Sequence, residues 1–412
     1  MNYTILEGDN RDTLKTLEDN SIDAIVTDPP YGIDFLGKAW DANTGALETY
    51  QECLRVLKPG GHILAFSAAR TYHHLAVTLE QAGFEIRDQL MWLYASGFPK
   101  AQDLGKAIER REGKRVSATA DNNGNTYAIG MNSVCHKCNM PHGTATRGMC
   151  KKEDCPINEA LKPADNKWAG WKTALKPAHE PICMARKPFK GSTIDNVLEH
   201  GVGALNIDAT RIDYEDTTDK LKQLNRTPDK SAGIQNTMNQ LDGKSKIQYT
   251  QGNTLNEQGR FPSNVLGEVE GYQKFFYCPK VSRKERHIGF DTSKIPTNPD
   301  GMYDTAYNQN DEYAGKDYNA VREQSLKVGN NHPTVKPVEL MKYLIKLVTP
   351  PNSTVLDPFN GSGSTGMAAV ELGHTYIGCE LDPAYVEIAK SRIAAWNTAD
   401  TNNTFGELFE TK

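Results

Sequence analysis

Asp357-Pro358-Phe359-Asn360-Gly361-Ser362-Gly363-Ser364-Thr365-Gly366 is the stretch from which the fold can be read. The apolar run Thr354–Phe359 before it has strand character, and Ser364–Leu372 after it has the spacing of a helix. Gly361, Gly363 and Gly366 fit the pattern G-x-G-x-x-G, and Glu380 closes the next strand, Tyr376–Glu380, 19 residues after Gly361. Glycines in such a loop let the backbone approach a ligand closely, and an acid at that offset can hold a ribose diol.

The position of the loop restricts the ligand. Only 32 residues follow Glu380, including one more helical stretch, Ala384–Trp396, which is too little chain to complete a fold binding both halves of a dinucleotide. The missing strands must come from the other end. There the signals alternate: strand Tyr3–Leu6, helix Asp12–Leu17, strand Ile22–Thr27, helix Ala46–Leu57 stopping at Pro59-Gly60-Gly61, strand His62–Ser67, helix Thr71–Gln81 ended by Gly83, and extended Phe84–Tyr94. This rhythm predicts a parallel, doubly wound α/β sheet assembled from both chain ends, with the C-terminal unit placed before the N-terminal one in space. S-adenosyl-L-methionine shares with NAD the need for close backbone approach and a ribose-binding acid. It does not need a second nucleotide-binding half.

Asp28-Pro29-Pro30-Tyr31 ends the strand Ile22–Thr27 on that same sheet. Ligands of open α/β sheets bind at the carboxyl ends of the strands. Two consecutive prolines stiffen the loop and remove two N–H donors. An exocyclic amine on a nucleobase has its lone pair delocalised into the ring. The Asp28 carboxylate and the Pro29 carbonyl can accept its two N–H bonds and favour a nucleophilic nitrogen. Tyr31 can stack on a base flipped out of the duplex. An ordinary proline turn at a strand end is the competing explanation for these four residues taken alone.

Taken together, DPPY near the N-terminus and DPFNGSGSTG near the C-terminus resemble the amino-group DNA methyltransferases of the permuted "beta" motif order, and ALKPAHEPICMARKP, RFPSNVL and FFYCPKVSRKER in between look like segments of phage and prophage-type methylases. The resemblance implies a Rossmann-like S-adenosylmethionine-dependent methyltransferase fold with circularly permuted motifs. It makes Asp28, Pro29, Pro30 and Tyr31 the catalytic motif. It places Asp9 of Gly8-Asp9 at the cofactor adenine, Thr334 and Lys336 of His332-Pro333-Thr334-Val335-Lys336-Pro337 along the methionine part, Asp357, Phe359, Asn360, Gly361, Ser362 and Gly363 in the cofactor loop, and Glu380 at the ribose. The implied reaction is site-specific methylation of duplex DNA by base flipping. Asp rather than Ser at position 28 favours adenine N6 by analogy. Cytosine N4, RNA as substrate, and a non-catalytic DNA-binding protein derived from the fold are the alternatives. Intact DPPY and an intact glycine loop argue against the last.

On this reading residues 1–112 and 263–396 form the catalytic domain, 113–262 the target-recognition region and 397–412 a tail. The recognition region is polar, with an ordered-looking island at 175–212 and four cysteines within 130–160. Cys135-x2-Cys138 and Cys150-x4-Cys155, eleven residues apart, have the spacing of a structural zinc-ribbon-like site. Free thiols or two disulfides are the plainer alternative. Basic stretches at 100–115 and 274–286, on a chain whose formal net charge is -5, suit an enzyme that grips double-stranded DNA along one face, although solvated helix surfaces explain charge runs equally well. The chain opens without a signal peptide, and no apolar run reaches membrane-spanning length, so a cytoplasmic, nucleoid-associated location in a bacterial or phage-infected cell is expected, with no membrane partner. A homodimer and a cognate restriction endonuclease are compatible partners.

Overall fold

Ile22–Thr27 is apolar almost throughout, and all six residues are buried, as in a central strand covered on both faces. The computed structural model built around it describes residues 2–33, 41, 43–94, 101–113, 163–175, 177–214, 258–267, 281–291 and 329–399. The strands in chain order are β1 (Tyr3–Glu7), β2 (Ile22–Thr27), β3 (Leu57–Phe66), β4 (Glu85–Leu93), β5 (His179–Arg186), β6 (Val265–Gly267), β7 (Thr354–Asp357) and β8 (Thr375–Glu380). The helices are α1 (Asn10–Thr13), α2 (Leu47–Val56), α3 (Tyr72–Ala82), α4 (Leu104–Arg111), α5 (Thr193–His200), α6 (Arg283–His287), α7 (Val338–Val348), α8 (Ser364–Glu371) and α9 (Pro383–Ala399).

The strands form one sheet in the order β1-β8-β7-β2-β3-β5-β4-β6. The expected joining of the two chain ends is present in a more specific form: the C-terminal strands β8 and β7 are inserted between β1 and β2. Both join in parallel, with Tyr3 opposite Tyr376 and Ala24 opposite Val355. The sheet is mixed rather than wholly parallel, because β5 runs antiparallel to both β3 and β4. β5 comes from the 175–212 island, which sequence alone assigned to the recognition region. Its run Pro181–Ala185 is buried, so it needs cover that a polar surface module does not offer.

The α2–β3 junction also differs from expectation. The helix ends at Val56 and the strand starts at once at Leu57, carrying Pro59-Gly60-Gly61 inside it. Pro59 disfavours helical backbone at Lys58, which explains the early end. Gly60 has φ +80°, and a Cβ there would lie 2.2 Å from Asn196 Nδ2. That amide, on α5, donates to Pro59 O at 3.0 Å and Val202 O at 2.8 Å, so the glycine makes room for the group that pins the strand.

A continuous core of Ile25, Tyr50, Cys53, Val56, Leu57, Ile63, Leu75, Leu79 and Leu356 binds α2 and α3 to the sheet. The chain divides into two compact units. The first holds Met1–Ala95, His179–Glu285 and Thr334–Lys412, and so all eight strands; the second holds Ser96–Ala178 and Arg286–Pro333. Within the second unit the Asp103 side chain caps α4 by accepting from Lys106 N at 3.1 Å. Buried Glu109 accepts from Asp165 N at 2.6 Å and Asn166 Nδ2 at 3.0 Å. Trp168 and Trp171 meet edge to face at 5.4 Å.

Cys135, Cys138, Cys150 and Cys155 lie outside the described residues, and so does the zinc site read from their spacing. Among the described residues, no group of three or more His, Cys, Asp or Glu side chains is arranged to hold a metal ion. No described helix is long and apolar enough to cross a membrane.

Candidate active site

β2 and β7 are neighbours, so the DPPY segment and the glycine loop leave adjacent strands at the same edge of the sheet. One buried hydrogen bond ties them: Thr27 Oγ1 donates to Asp357 Oδ1 at 2.7 Å. The other Asp357 oxygen accepts from Thr365 Oγ1 at 2.6 Å, and Phe359 N donates to Oδ1 at 3.0 Å. Burial raises the Asp357 carboxyl to about 6 against the opposing pull of these donors. Asp357, expected to serve the cofactor, has its oxygens engaged in bracing the loop from behind.

The rest of the loop is braced in the same manner. Tyr376 Oη donates to Asn360 Oδ1 at 2.8 Å, and Asn360 Nδ2 donates to Gly361 O at 2.9 Å. Arg392, with no exposed surface, donates through Nη1 to Ser362 O at 2.5 Å and Ser362 Oγ at 3.0 Å, and through Nη2 to Glu285 O at 3.1 Å. Gly363 has φ +81°, and a Cβ there would stand 3.1 Å from Ala389 Cβ and Ile393 Cδ1 on α9. Only glycine allows both this turn and this contact. Phe359 packs against Tyr50, their ring centroids 6.3 Å apart.

Glu380 is half-buried at the end of β8. Its Oε2 accepts from Gly361 N at 2.8 Å and its Oε1 from Asp382 N at 2.9 Å. Burial raises this carboxyl to about 7, these two N–H bonds pulling the other way. With one such backbone donor on each oxygen, the carboxylate keeps lone pairs for hydroxyl donors. Such a donor set fits a ribose diol. Gly8 N donates to Glu380 O at 2.9 Å, which sets the Gly8-Asp9 turn beside it. Asp9 itself is held by Arg11: Oδ1 accepts from Arg11 N and Nε, both at 2.9 Å, and Oδ2 from Nη2 at 2.5 Å, lowering the carboxyl to about 2.

Asp28 follows β2 and meets three side chains from distant parts of the sequence. Lys336 Nζ donates to Asp28 Oδ2 at 2.6 Å and to Tyr31 Oη at 3.0 Å, and lies 3.4 Å from Glu180 Oε2. Tyr31 Oη lies 2.9 Å from Asp28 Oδ1 and 2.8 Å from Glu180 Oε2. The Lys336 ammonium also sits 5.3 Å from the Tyr31 ring centroid and 4.9 Å from that of Phe66. Burial alone would strip Lys336 of its proton, but Asp28 and Glu180 outweigh it and hold the ammonium above its usual value. Burial, then the charges of Asp28 and Glu180, push the Tyr31 hydroxyl well up, so it stays a protonated donor. Tyr94 also bonds Glu180, and burial raises its hydroxyl to about 12. Asp41 accepts from Tyr31 N at 2.6 Å, Gly32 N at 3.2 Å and Ile33 N at 3.2 Å, fixing the chain after the prolines.

The structure therefore brings Asp28, Tyr31 and Lys336 together, although the sequence reading placed Lys336 with Thr334 beside the cofactor. Pro29 and Pro30 shape the same loop. Glu180, Tyr94, Phe66 and Asp41 were not singled out by sequence. The only sequence signal for Glu180 was its place in ALKPAHEPICMARKP, a segment noted for order and for its resemblance to phage-type methylases.

A family model described as DNA methylase, covering the N6 and N4 methyltransferases, matches residues 22–391. The chain belongs to this family and is a DNA methyltransferase of the amino-group class. It is 24% identical to the type II methyltransferase M.HindIII of Haemophilus influenzae over 447 aligned positions, which cover 97% of each chain. It is 39% identical to the type II methyltransferase M2.LlaDCHI of Lactococcus lactis subsp. cremoris over 74 residues, covering 18% of this chain and 28% of that one. Among solved structures, an M1.HpyAVI–SAM complex aligns with a TM-score of 0.40 and 17% identity over 95% of this chain and 99% of that one. The cytosine-N4-specific PvuII DNA methyltransferase aligns with a TM-score of 0.42 and 14% identity over 95% and 86%.

Proposed function

We propose that this chain is a site-specific, adenine-N6 DNA methyltransferase that uses S-adenosyl-L-methionine and acts on a base flipped out of duplex DNA, on a permuted methyltransferase fold. The observation that carries the reading is the Thr27–Asp357 bond at 2.7 Å, which joins the base of DPPY to the base of the glycine loop. An amine acceptor and a cofactor cradle are thereby set at one edge of one sheet. When bound, the cofactor supplies an electrophilic methyl group on a sulfonium. Glu380 would hold its ribose, and the backbone of Gly361–Gly363 would leave room for its close approach. Asp28 and the Pro29 carbonyl accept the two N–H bonds of the target amine and draw its lone pair out of conjugation with the ring. Tyr31 stacks on the extrahelical base. Alignment then supplies most of the rate.

Residues 113–262 without β5 and α5 are assigned to target recognition, and Cys135, Cys138, Cys150 and Cys155 to a structural zinc. The spacing supports the metal, and four thiolates leave it no open coordination position for chemistry. The test of the whole reading is single-molecule methylation sequencing of DNA from cells expressing the wild-type chain or Asp28→Ala. N6-methyladenine in one sequence motif, absent with Asp28→Ala, is expected. N4-methylcytosine would replace the adenine assignment, and no new mark would overturn the proposal.

A further inference from the structure

Both oxygens of Asp28 are already engaged, Oδ2 by the Lys336 ammonium at 2.6 Å and Oδ1 by the Tyr31 hydroxyl at 2.9 Å. Each oxygen keeps a second lone pair, but a target amine that uses Asp28 as acceptor must share the carboxylate with the Lys336 ammonium and the Tyr31 hydroxyl, which weaken it as an acceptor. Tyr31 Oη has a single proton and stands between two carboxylates, Asp28 and Glu180, so it can satisfy only one at a time. Lys336 is 8% exposed and has little access to water if it loses a partner. A buried ammonium left unpaired is strongly unfavourable. Glu180 Oε2 lies within reach of both donors, 2.8 Å from Tyr31 Oη and 3.4 Å from Lys336 Nζ. Its backbone is held in β5 between β3 and β4, where Trp92 stands opposite it, so it does not depend on a loop for its position.

We propose that Glu180 is a positioning residue that draws the Lys336 ammonium and the Tyr31 hydroxyl away from Asp28 when the target amine arrives, leaving Asp28 a stronger and less crowded acceptor for an N–H of the base. The proposal rests on the methyltransferase reading above and assigns to that site a step of donor exchange. The charged and titratable groups facing Glu180 are Asp28 and Tyr31 from the segment after β2, Tyr94 from the end of β4, and Lys336 ahead of α7. Without Glu180, the Lys336 ammonium would stay on Asp28 and compete with the substrate.

The test uses the purified full chain, labelled-methyl transfer to unmethylated bacterial DNA, and calorimetric binding of S-adenosylmethionine. Glu180→Gln is expected to lower kcat about 100-fold, with the KM for DNA changed by less than about threefold. Its cofactor affinity should match wild type, which shows that the variant is folded. Its kcat should rise between pH 7 and 9, as the fraction of neutral Lys336 grows, while the wild-type profile stays flat. Glu180→Asp should regain part of the rate. Adding Lys336→Met to Glu180→Gln should raise kcat about tenfold, because the competing donor is gone. A Glu180→Gln enzyme with wild-type kcat overturns the proposal. So does a loss that is independent of pH and unrelieved by Lys336→Met. A wild-type chain that methylates no DNA overturns instead the functional reading on which the proposal rests.

Discussion

Replacing Thr27 by valine removes the hydroxyl of the bond that joins the DPPY segment to the glycine loop, and its effect should depend on pH. Thr27 is fully buried and Asp357 is 2% exposed, so water cannot replace the lost donor. Valine nearly matches threonine in volume, which leaves Phe359 N, at 3.0 Å, as the donor on Asp357 Oδ1. A hydrogen bond to an ionised buried carboxylate is worth about 2 kcal/mol, and one to its neutral form about 1 kcal/mol. Burial raises Asp357 from the ordinary 3.8 to about 6, so it is ionised at pH 8 and protonated at pH 5. The sign follows from proton counting. Between 3.8 and about 6 the folded chain binds more protons than the unfolded chain, so this group's contribution to stability falls as pH rises through that window. Thr27→Val moves Asp357 further up, which extends the window to higher pH and enlarges the total fall. The expected loss is about 2 kcal/mol at pH 8 and about 1 kcal/mol at pH 5. Urea unfolding followed by tryptophan fluorescence at the two pH values measures it. Equal losses at both would refute the charge-assisted character of the bond, and no loss at pH 8 would show that Thr27 does not hold the loop.

Three further outcomes are expected. Gly363→Ala combines left-handed strain with contacts at 3.1 Å to Ala389 and Ile393, and should lower stability by about 3 kcal/mol and cofactor affinity more than tenfold. Gly373→Ala, at φ +79° with open space around it, should cost only about 1 kcal/mol and leave affinity intact; matching losses in the two variants would count against the packing argument. Glu380 must be ionised to accept ribose hydroxyls, and its carboxyl stands at about 7. Cofactor affinity should therefore be constant above that pH and weaken by about tenfold per unit below it, a dependence that Glu380→Gln abolishes and a flat calorimetric profile would contradict. Elemental analysis of protein purified without chelators should find about one zinc per chain, lost in Cys138→Ser, and zinc-free wild-type protein would refute the ribbon reading.

The amino-acid sequence by itself determined the elements that carry a local signature. Ile22–Thr27 carries the apolar run Ala24–Val26, Gly83 stops a helix by adopting φ +107°, and the glycine loop stands where a strand meets a helix. The alternation of strand and helix signals at both ends of the chain pointed to one shared sheet, which the pairing of β1 with β8 and of β2 with β7 bears out. Tertiary structure alone decided that β8 and β7 lie between β1 and β2, and that β5, from the middle of the chain, runs antiparallel between β3 and β4. Strand order depends on which apolar faces find cover, and a single strand's sequence does not encode its neighbour. The same limit applies at the site. Asp28 and Tyr31 sit within four residues of each other and read as a motif, because their geometry is set by the local backbone. Glu180 and Lys336 are 156 residues apart, and their partnership with Asp28 arises only when β5 and the segment before α7 converge on it. The sequence thus marked Asp28, and only the fold showed that Lys336 and Tyr31 already donate to it and that Glu180 lies within reach of both.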